Sequence, residues 1–148
     1  RPPSYRPRQM ELSEVIEHVV RMVESENPGI DFETEGSGRV STDRDLAIQV
    51  LLNLVQNACQ SIGTTGWIRL TCGHNWIKVT DSGPGIPIDI QARIFQPFFT
   101  TRVRGTGLGL AICQRAVETM GGRLQLLPGA PNEGTSFRLE FNTNDDTP

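Results

Sequence analysis

Leu12, Val15, Ile16, Val19, Val20 and Val23 recur at helical spacing, so residues 11–26 are expected to form an amphipathic helix. Asn27-Pro28-Gly29 ends it. "IDFETE" alternates in the manner of a strand, and "RVST" gives a short second one. A long helix over 43–62 is expected next, capped by Asp43 and stopped by Gly63. "WIRLTC" and "NWIKVTD" read as a hairpin turning at "GHN". A short helix is expected over 88–94, and a loop over 95–106 where no period is visible. A further helix runs from about Gly107 to Met120, halted by Gly121-Gly122. "RLQLLP" and "TSFRLEF" are the last strands. Three helices and five or six short strands in mixed order predict an α+β two-layer sandwich, with a mixed five-stranded sheet covered on one face by helices.

A chain of 148 residues suits one domain with a sizeable core. Its formal net charge of −3 offers no basic footprint for nucleic acid. No apolar run is long enough to span a bilayer. Cys59, Cys72 and Cys113 are widely spaced, with no metal-ligand or disulfide pattern, which fits a reduced, cytoplasmic compartment. The chain opens at Arg1, and its Pro- and Arg-rich start reads as a linker over 1–10, so we read a fragment of a longer protein. A domain over 11–143 and a flexible tail over 144–148 complete the division.

Four segments invite chemistry, each with a plain reading beside it. Asn53 and Asn57 in "NLVQNA" are one helical turn apart, at the border of an apolar stripe. They are either solvated, or their amide oxygens ligate a hard cation such as Mg²⁺, which takes few protein oxygens and completes its shell with phosphates. In "WIKVTDSGPGIP", alternation puts Ile77, Val79 and Asp81 on one strand face, so a carboxylate points inward. It either caps the following turn or accepts from an exocyclic amine such as that of adenine, with Gly83 and Gly85 thinning the pocket floor. Phe95, Phe98 and Phe99 cluster in the aperiodic segment, with Arg102 and Arg104 after them. This is a pinned surface loop or a mobile flap whose arginines face phosphate. Finally, Gly105, Gly107 and Gly109 alternate just before an apolar helix. That is an ordinary loop-to-helix junction or a phosphate cradle, because helix N-termini present unpaired N–H groups. The Rossmann and Walker patterns both fail here.

In order, "NLVQNA", "DSGPGIP", "FQPFF" and "GTGLGLAI" resemble the asparagine, first glycine, phenylalanine and second glycine boxes of sensor histidine kinase ATP-binding domains. "GTSFRLEF" resembles the family's last strand, so the resemblance runs from Leu12 to Phe141. "FFTTRVRGTGLGLAI" is most similar to the nitrogen-regulation-type branch. The resemblance implies a Bergerat-type sandwich that holds ATP and Mg²⁺ under a lid. It implies that Asp81 accepts from the adenine amine, helped by Thr135, with Gly83, Gly85, Ile86 and Phe98 around the nucleotide. Asn57 would ligate the metal, with Asn53 beside it and Arg102 acting with them on the phosphates. Thr101, Arg104, Gly105, Thr106, Gly107, Leu108 and Gly109 would wrap the phosphates. Gln60 and Ser61 depart from the Lys or aromatic residues that many members carry after the asparagine box, and Arg102 stands where the lid often has Lys.

Related hydrolases place a Glu base where Asn53 stands, which favours phosphoryl transfer over hydrolysis here. The acceptor would be a histidine on a separate helical dimerisation domain of the same protein, with a response-regulator receiver domain as an indirect partner. His18 lacks the acidic residue that follows the family's acceptor, and His74 falls in a predicted hairpin turn. The fragment itself is expected to be a monomer that touches neither membrane nor nucleic acid. An anti-sigma-type protein-serine kinase, or a nucleotide-binding module without transfer activity, is the alternative.

Overall fold

The computed structural model describes residues 5–99, 109–128 and 134–142. Seven strands and three α-helices follow in the order β1 (Arg8–Glu11), α1 (Leu12–Val23), β2 (Ile30–Gly36), β3 (Arg39–Thr42), α2 (Arg44–Ile62), β4 (Gly66–Cys72), β5 (Trp76–Asp81), α3 (Gly109–Thr119), β6 (Arg123–Leu126) and β7 (Thr135–Glu140). The main sheet is mixed and five-stranded, ordered β2-β4-β5-β7-β6. Among the described strands only β2 and β4 run parallel, Ile30 facing Gly66 at one end and Gly36 facing Cys72 at the other. The expected α+β sandwich is therefore present.

All six apolar positions of the first helical stripe are buried, from Leu12 to Val23. They meet Val50, Leu51, Leu54 and Val55 of α2 and the inward residues Ile68, Leu70, Ile77 and Val79 of the sheet. Each such side chain contributes about 1.5–3 kcal/mol by leaving water, which is what holds the helical layer on the sheet. Asp43 caps α2 as expected: its Oδ1 accepts from the N–H groups of Asp45 at 3.0 Å and Leu46 at 3.1 Å. Its Oδ2 accepts from the N–H of Arg6 at 2.8 Å, tying the first described residues to the same cap. α3 closes at Gly121, whose φ of 74° suits a helix C-terminus, with the Gly122 N–H donating to the Val117 carbonyl at 2.9 Å.

Three expectations are corrected. Residues 8–10, read as linker, belong to β1, which pairs antiparallel with β3 in a separate two-stranded sheet. The helix expected over 11–26 is α-helical only to Val23 and tightens into a 3₁₀ turn over Glu24–Glu26. The short helix expected over 88–94 is a chain of tight turns with one 3₁₀ turn at Gln91–Arg93. There the N–H groups of Ile90, Arg93, Gln96 and Phe99 each reach back three residues. Pro87 and Pro97 bound this stretch and Ile88, Ile90 and Ile94 are β-branched, too short and too poor a helix former to nucleate an α-turn. Among the described residues no helix is long and apolar enough to cross a membrane.

Candidate nucleotide site

β5 delivers Asp81 to the interior through simple alternation, its burial pattern switching at each residue. The residue is only 4% exposed. Its Oδ1 accepts from the Gly83 N–H at 2.7 Å, and the Thr135 N–H from the neighbouring strand also donates to the carboxylate. Burial raises the Asp81 pKa above the ordinary carboxylate value, and the two backbone donors only partly oppose that. Asp81 thus caps its own turn, as the plain reading expected, while remaining a buried, inward carboxylate. Thr135, 7% exposed, is its direct partner in the β5–β7 register.

The turn after Asp81 is held tightly. Ser82 exchanges bonds with Trp67, its N–H donating to the Trp67 carbonyl at 3.1 Å and its Oγ accepting from the Trp67 N–H at 2.9 Å. A Cβ on Gly83 would stand 2.9 Å from Asp81 Oδ1 and 2.5 Å from Ser61 Oγ. Gly85 has φ +84°, the left-handed region that glycine occupies freely. Ile86 is half-buried, and its carbonyl accepts from Gln91 Nε2 at 2.9 Å.

α2 brings the asparagines to the same side of the core. Asn53 and Asn57 are both half-buried, at the edge of the stripe formed by Val50, Leu54 and Ala58. Asn53 bonds the buried thiol of Cys113, whose Sγ also donates to the Val50 carbonyl at 3.7 Å. That contact fixes α3 against α2. Burial pushes the Cys113 thiol up to about 12, with the Asn53 bond pulling the other way. Among the described residues no cluster of three His, Cys, Asp or Glu side chains forms a metal cage. Amide oxygens with phosphates are the donor set that suits a small hard cation.

Of the phenylalanines, Phe95 packs edge-on against Phe137, ring centroids 6.2 Å apart at 81°. Phe99 lies under Arg93, whose guanidinium is 5.2 Å from its ring. Phe98 is 74% exposed and holds φ +68°, unusual for a residue with a side chain. The structure therefore pins two of the three rings and leaves one outward. Gly109 is the first described residue of α3, and a Cβ there would meet none of the described residues within 4 Å. Thr101, Arg102, Arg104, Gly105, Thr106, Gly107 and Leu108, with the lid they compose, lie outside the described residues.

Two neighbours of the site, Cys59 and Gly134, were not singled out from the sequence, and a third, Ser61, was named there only as a departure from the family pattern. Cys59 is close enough to Asp81 for its carboxylate to help raise the thiol pKa, after burial as the main cause. Ser61 stands over Gly83, one helical turn beyond Asn57, and that i,i+4 spacing was the available signal. Gly134, with φ +85°, lies so close to β5 that a Cβ would be 1.9 Å from the Asp81 carbonyl oxygen. Only register reveals that contact.

Residues 42–145 match the family model described as histidine kinase-, DNA gyrase B- and HSP90-like ATPase. The signal transduction histidine-protein kinase AtoS of Escherichia coli strain K12 is 35% identical over 147 residues, covering 93% of this chain and 24% of the relative. The chain thus spans about a quarter of that relative's length. The nucleotide-free catalytic domain of the histidine kinase ThkA superposes with a TM-score of 0.81 at 36% identity, over 92% of this chain and 95% of that one. Full-length ShkA in complex with AMPPNP gives a TM-score of 0.80 at 28% identity, over 95% of this chain and 31% of that one. With the buried carboxylate, the paired asparagines and the glycine turns in place on this sandwich, the chain belongs to the histidine kinase-, DNA gyrase B- and HSP90-like ATPase family.

Proposed function

We propose that this chain is the catalytic, ATP-binding domain of a two-component sensor histidine kinase. It would pass the γ-phosphoryl group of ATP to a histidine carried by a helical dimerisation domain, on the cytoplasmic side of the cell, with a receiver domain taking the phosphoryl group afterwards. The observation that carries this reading is the inward Asp81, buried yet ending in a thin glycine turn. A carboxylate there accepts from the adenine amine, and Thr135 beside it supports the same edge of the ring. Gly83, Gly85 and Ile86 would form the floor, and Phe98, outward in this structure, would turn in to reach the nucleotide. That ShkA was solved with an ATP analogue supports placing a nucleotide on this fold.

Asn57, with Asn53 beside it, would hold Mg²⁺ through amide oxygens. The metal neutralises charge on the phosphates, and transfer then needs little more than positioning. Arg102 and Arg104 are the cations proposed to face phosphate oxygens, because the chain's single lysine, Lys78, lies on the opposite strand face from Asp81. Thr101, Gly105, Thr106, Gly107, Leu108 and Gly109 would wrap the phosphate chain, their N–H groups serving as donors at the start of α3. An asparagine at position 53 cannot activate water as a carboxylate base does, which favours transfer over hydrolysis.

Neither histidine suits the acceptor role. His18 is half-buried on α1, followed by Val19, and His74 sits in the β4–β5 turn. Calorimetric titration with a non-hydrolysable ATP analogue should show binding that strengthens with Mg²⁺, and labelled ATP should leave no stable phosphate on the chain alone. No binding at millimolar analogue, or phosphate on His18 or His74, would defeat the reading.

A further inference from the structure

The sheet face opposite the helices carries a charge arrangement that the nucleotide site does not use. β4, β5 and β7 alternate between buried residues and residues open to solvent. The open set places Arg69, Lys78 and Arg138 on three neighbouring strands. Two of these cations are clamped. Arg69 stacks on Trp67 at 4.7 Å, and its Nε donates to Glu33 at 3.3 Å. Arg138 stacks on Trp76 at 4.9 Å, and its Nε donates to Glu140 at 3.1 Å. Each guanidinium has five N–H donors and spends one of them on that carboxylate.

Lys78 stands between them, directly opposite Arg138 on β7 and Thr71 on β4. Among the described residues the ion pairs on this face go to the two arginines, and Lys78 is in none. Like charges directly opposite in a strand pair are unfavourable. Glu33 and Glu140 offset the two arginines, which leaves Lys78 as the cation of this row without an ion pair among the described residues. A depression of about 290 Å³ opens there, lined in part by Arg69, Thr71, Lys78, Thr80 and Ser136.

We propose that this face docks an acidic segment of a partner protein, whose carboxylates lie across Arg69, Lys78 and Arg138. At about 4.8 Å between strands and about 3.3 Å per residue, with Arg69 offset two residues along β4 from the position opposite Lys78, the cations span about 12 Å on a diagonal, which suits successive carboxylates of an extended segment better than one compact anion. Glu33 and Glu140 already engage the same guanidiniums, so carboxylate is a chemistry these forks accept. Asp31, Glu33 and Glu35 of β2 stand opposite Trp67, Arg69 and Thr71, an acidic margin that keeps the segment on the β4–β7 side. Because β5 turns Lys78 and Thr80 to this face and Asp81 to the other, the inference stands apart from the proposed nucleotide reading.

The test is an amide chemical-shift titration of the full chain with a hexaglutamate peptide at low salt. The amides of Thr71, Lys78, Thr80, Ser136 and Arg138 should move. Lys78→Glu should weaken binding about tenfold or more while Lys78→Arg retains it, since opposed like charges at an interface are costly. An unchanged melting temperature of Lys78→Glu separates lost docking from lost folding. The proposal is overturned if no amide on this face moves, if Lys78→Glu binds as well as the parent, or if inorganic phosphate at equal charge reproduces the shifts.

Discussion

Asp81 lies directly opposite Thr135 in the β5–β7 pair, and the Thr135 N–H donates to the Asp81 carboxylate. The purine-facing group proposed here is therefore held by the sheet ladder itself, not by a loop. Its Gly83 bond at 2.7 Å adds a second tether from the turn. A side chain fixed at both ends loses little freedom when a ligand arrives, which is the basis of preorganised binding.

Asp81→Asn keeps an oxygen that accepts from Gly83, so the fold should survive. It also places an amide where, in the proposed site, a full negative charge would meet the purine amine. A hydrogen bond to a charged group is worth about 1.5–3 kcal/mol, so nucleotide affinity should fall roughly tenfold to a hundredfold by calorimetry. Equal affinity in the variant would remove Asp81 from the site.

The same residue predicts a pH dependence of stability. Its folded pKa is raised from 3.8, so the native state binds more protons than the unfolded state between 3.8 and the folded value. Stability from this group is present below 3.8 and is lost as pH rises through the folded pKa. Asp81→Asn lacks that loss. Thermal melts should show the variant gaining on the parent as pH rises through the carboxylate range, then holding a constant lead. A lead that shrinks with rising pH would mean that burial does not dominate at Asp81.

Gly134 and Gly109 form a contrast. Alanine at 134 would force a Cβ to 1.9 Å from the Asp81 carbonyl oxygen at φ +85°, so β5 and β7 must part. The expected cost is about 2–4 kcal/mol, the range of overpacking with backbone strain. Alanine at 109 meets none of the described residues within 4 Å and should shift stability by no more than about 1 kcal/mol. Chemical denaturation of both variants checks the pair.

Most of what positions the site was legible from local patterns. The Asp43 cap, the Gly63 stop and the Ile77-Val79-Asp81 alternation all depend on residues near in sequence, and each appears as expected. What was not legible depends on partners distant along the chain. β1 forms because Arg8–Glu11 pairs with Arg39–Thr42, and "RQME" has no alternation of its own to announce it. The closeness of Gly134 to Asp81, and of Cys59 to the same carboxylate, follows from register and helix packing. The asparagine pair was visible by spacing, but the bond from Asn53 to Cys113 requires α3 to cross α2 at that point.

Loss of the Asp43 side chain removes the acceptor for three N–H groups, those of Arg6, Asp45 and Leu46. Asp43→Ala should cost about 1–2 kcal/mol, typical of a helix cap. Asp43→Asn keeps the Oδ1 cap and should recover most of it in urea denaturation. A neutral Asp43→Ala would show that the carboxylate does not stabilise the start of α2.

Thiol chemistry tests the packing of the helical layer. Cys59, Cys72 and Cys113 are all free, buried and raised in pKa, chiefly by desolvation. The thiolate is the reactive form, so each should react slowly with a disulfide reagent at pH 8. Cys113 should be slowest, because it is fully buried and its pKa is about 12. Its labelling should require opening of the α2–α3 contact. Denaturant should expose all three thiols at the rate of a free peptide. Asn53→Ala removes one bond to Cys113 and should speed its labelling while leaving Cys72, on β4, unchanged. Equal acceleration at both cysteines would mean that the variant loosens the whole domain and that Asn53 does not specifically fasten α3.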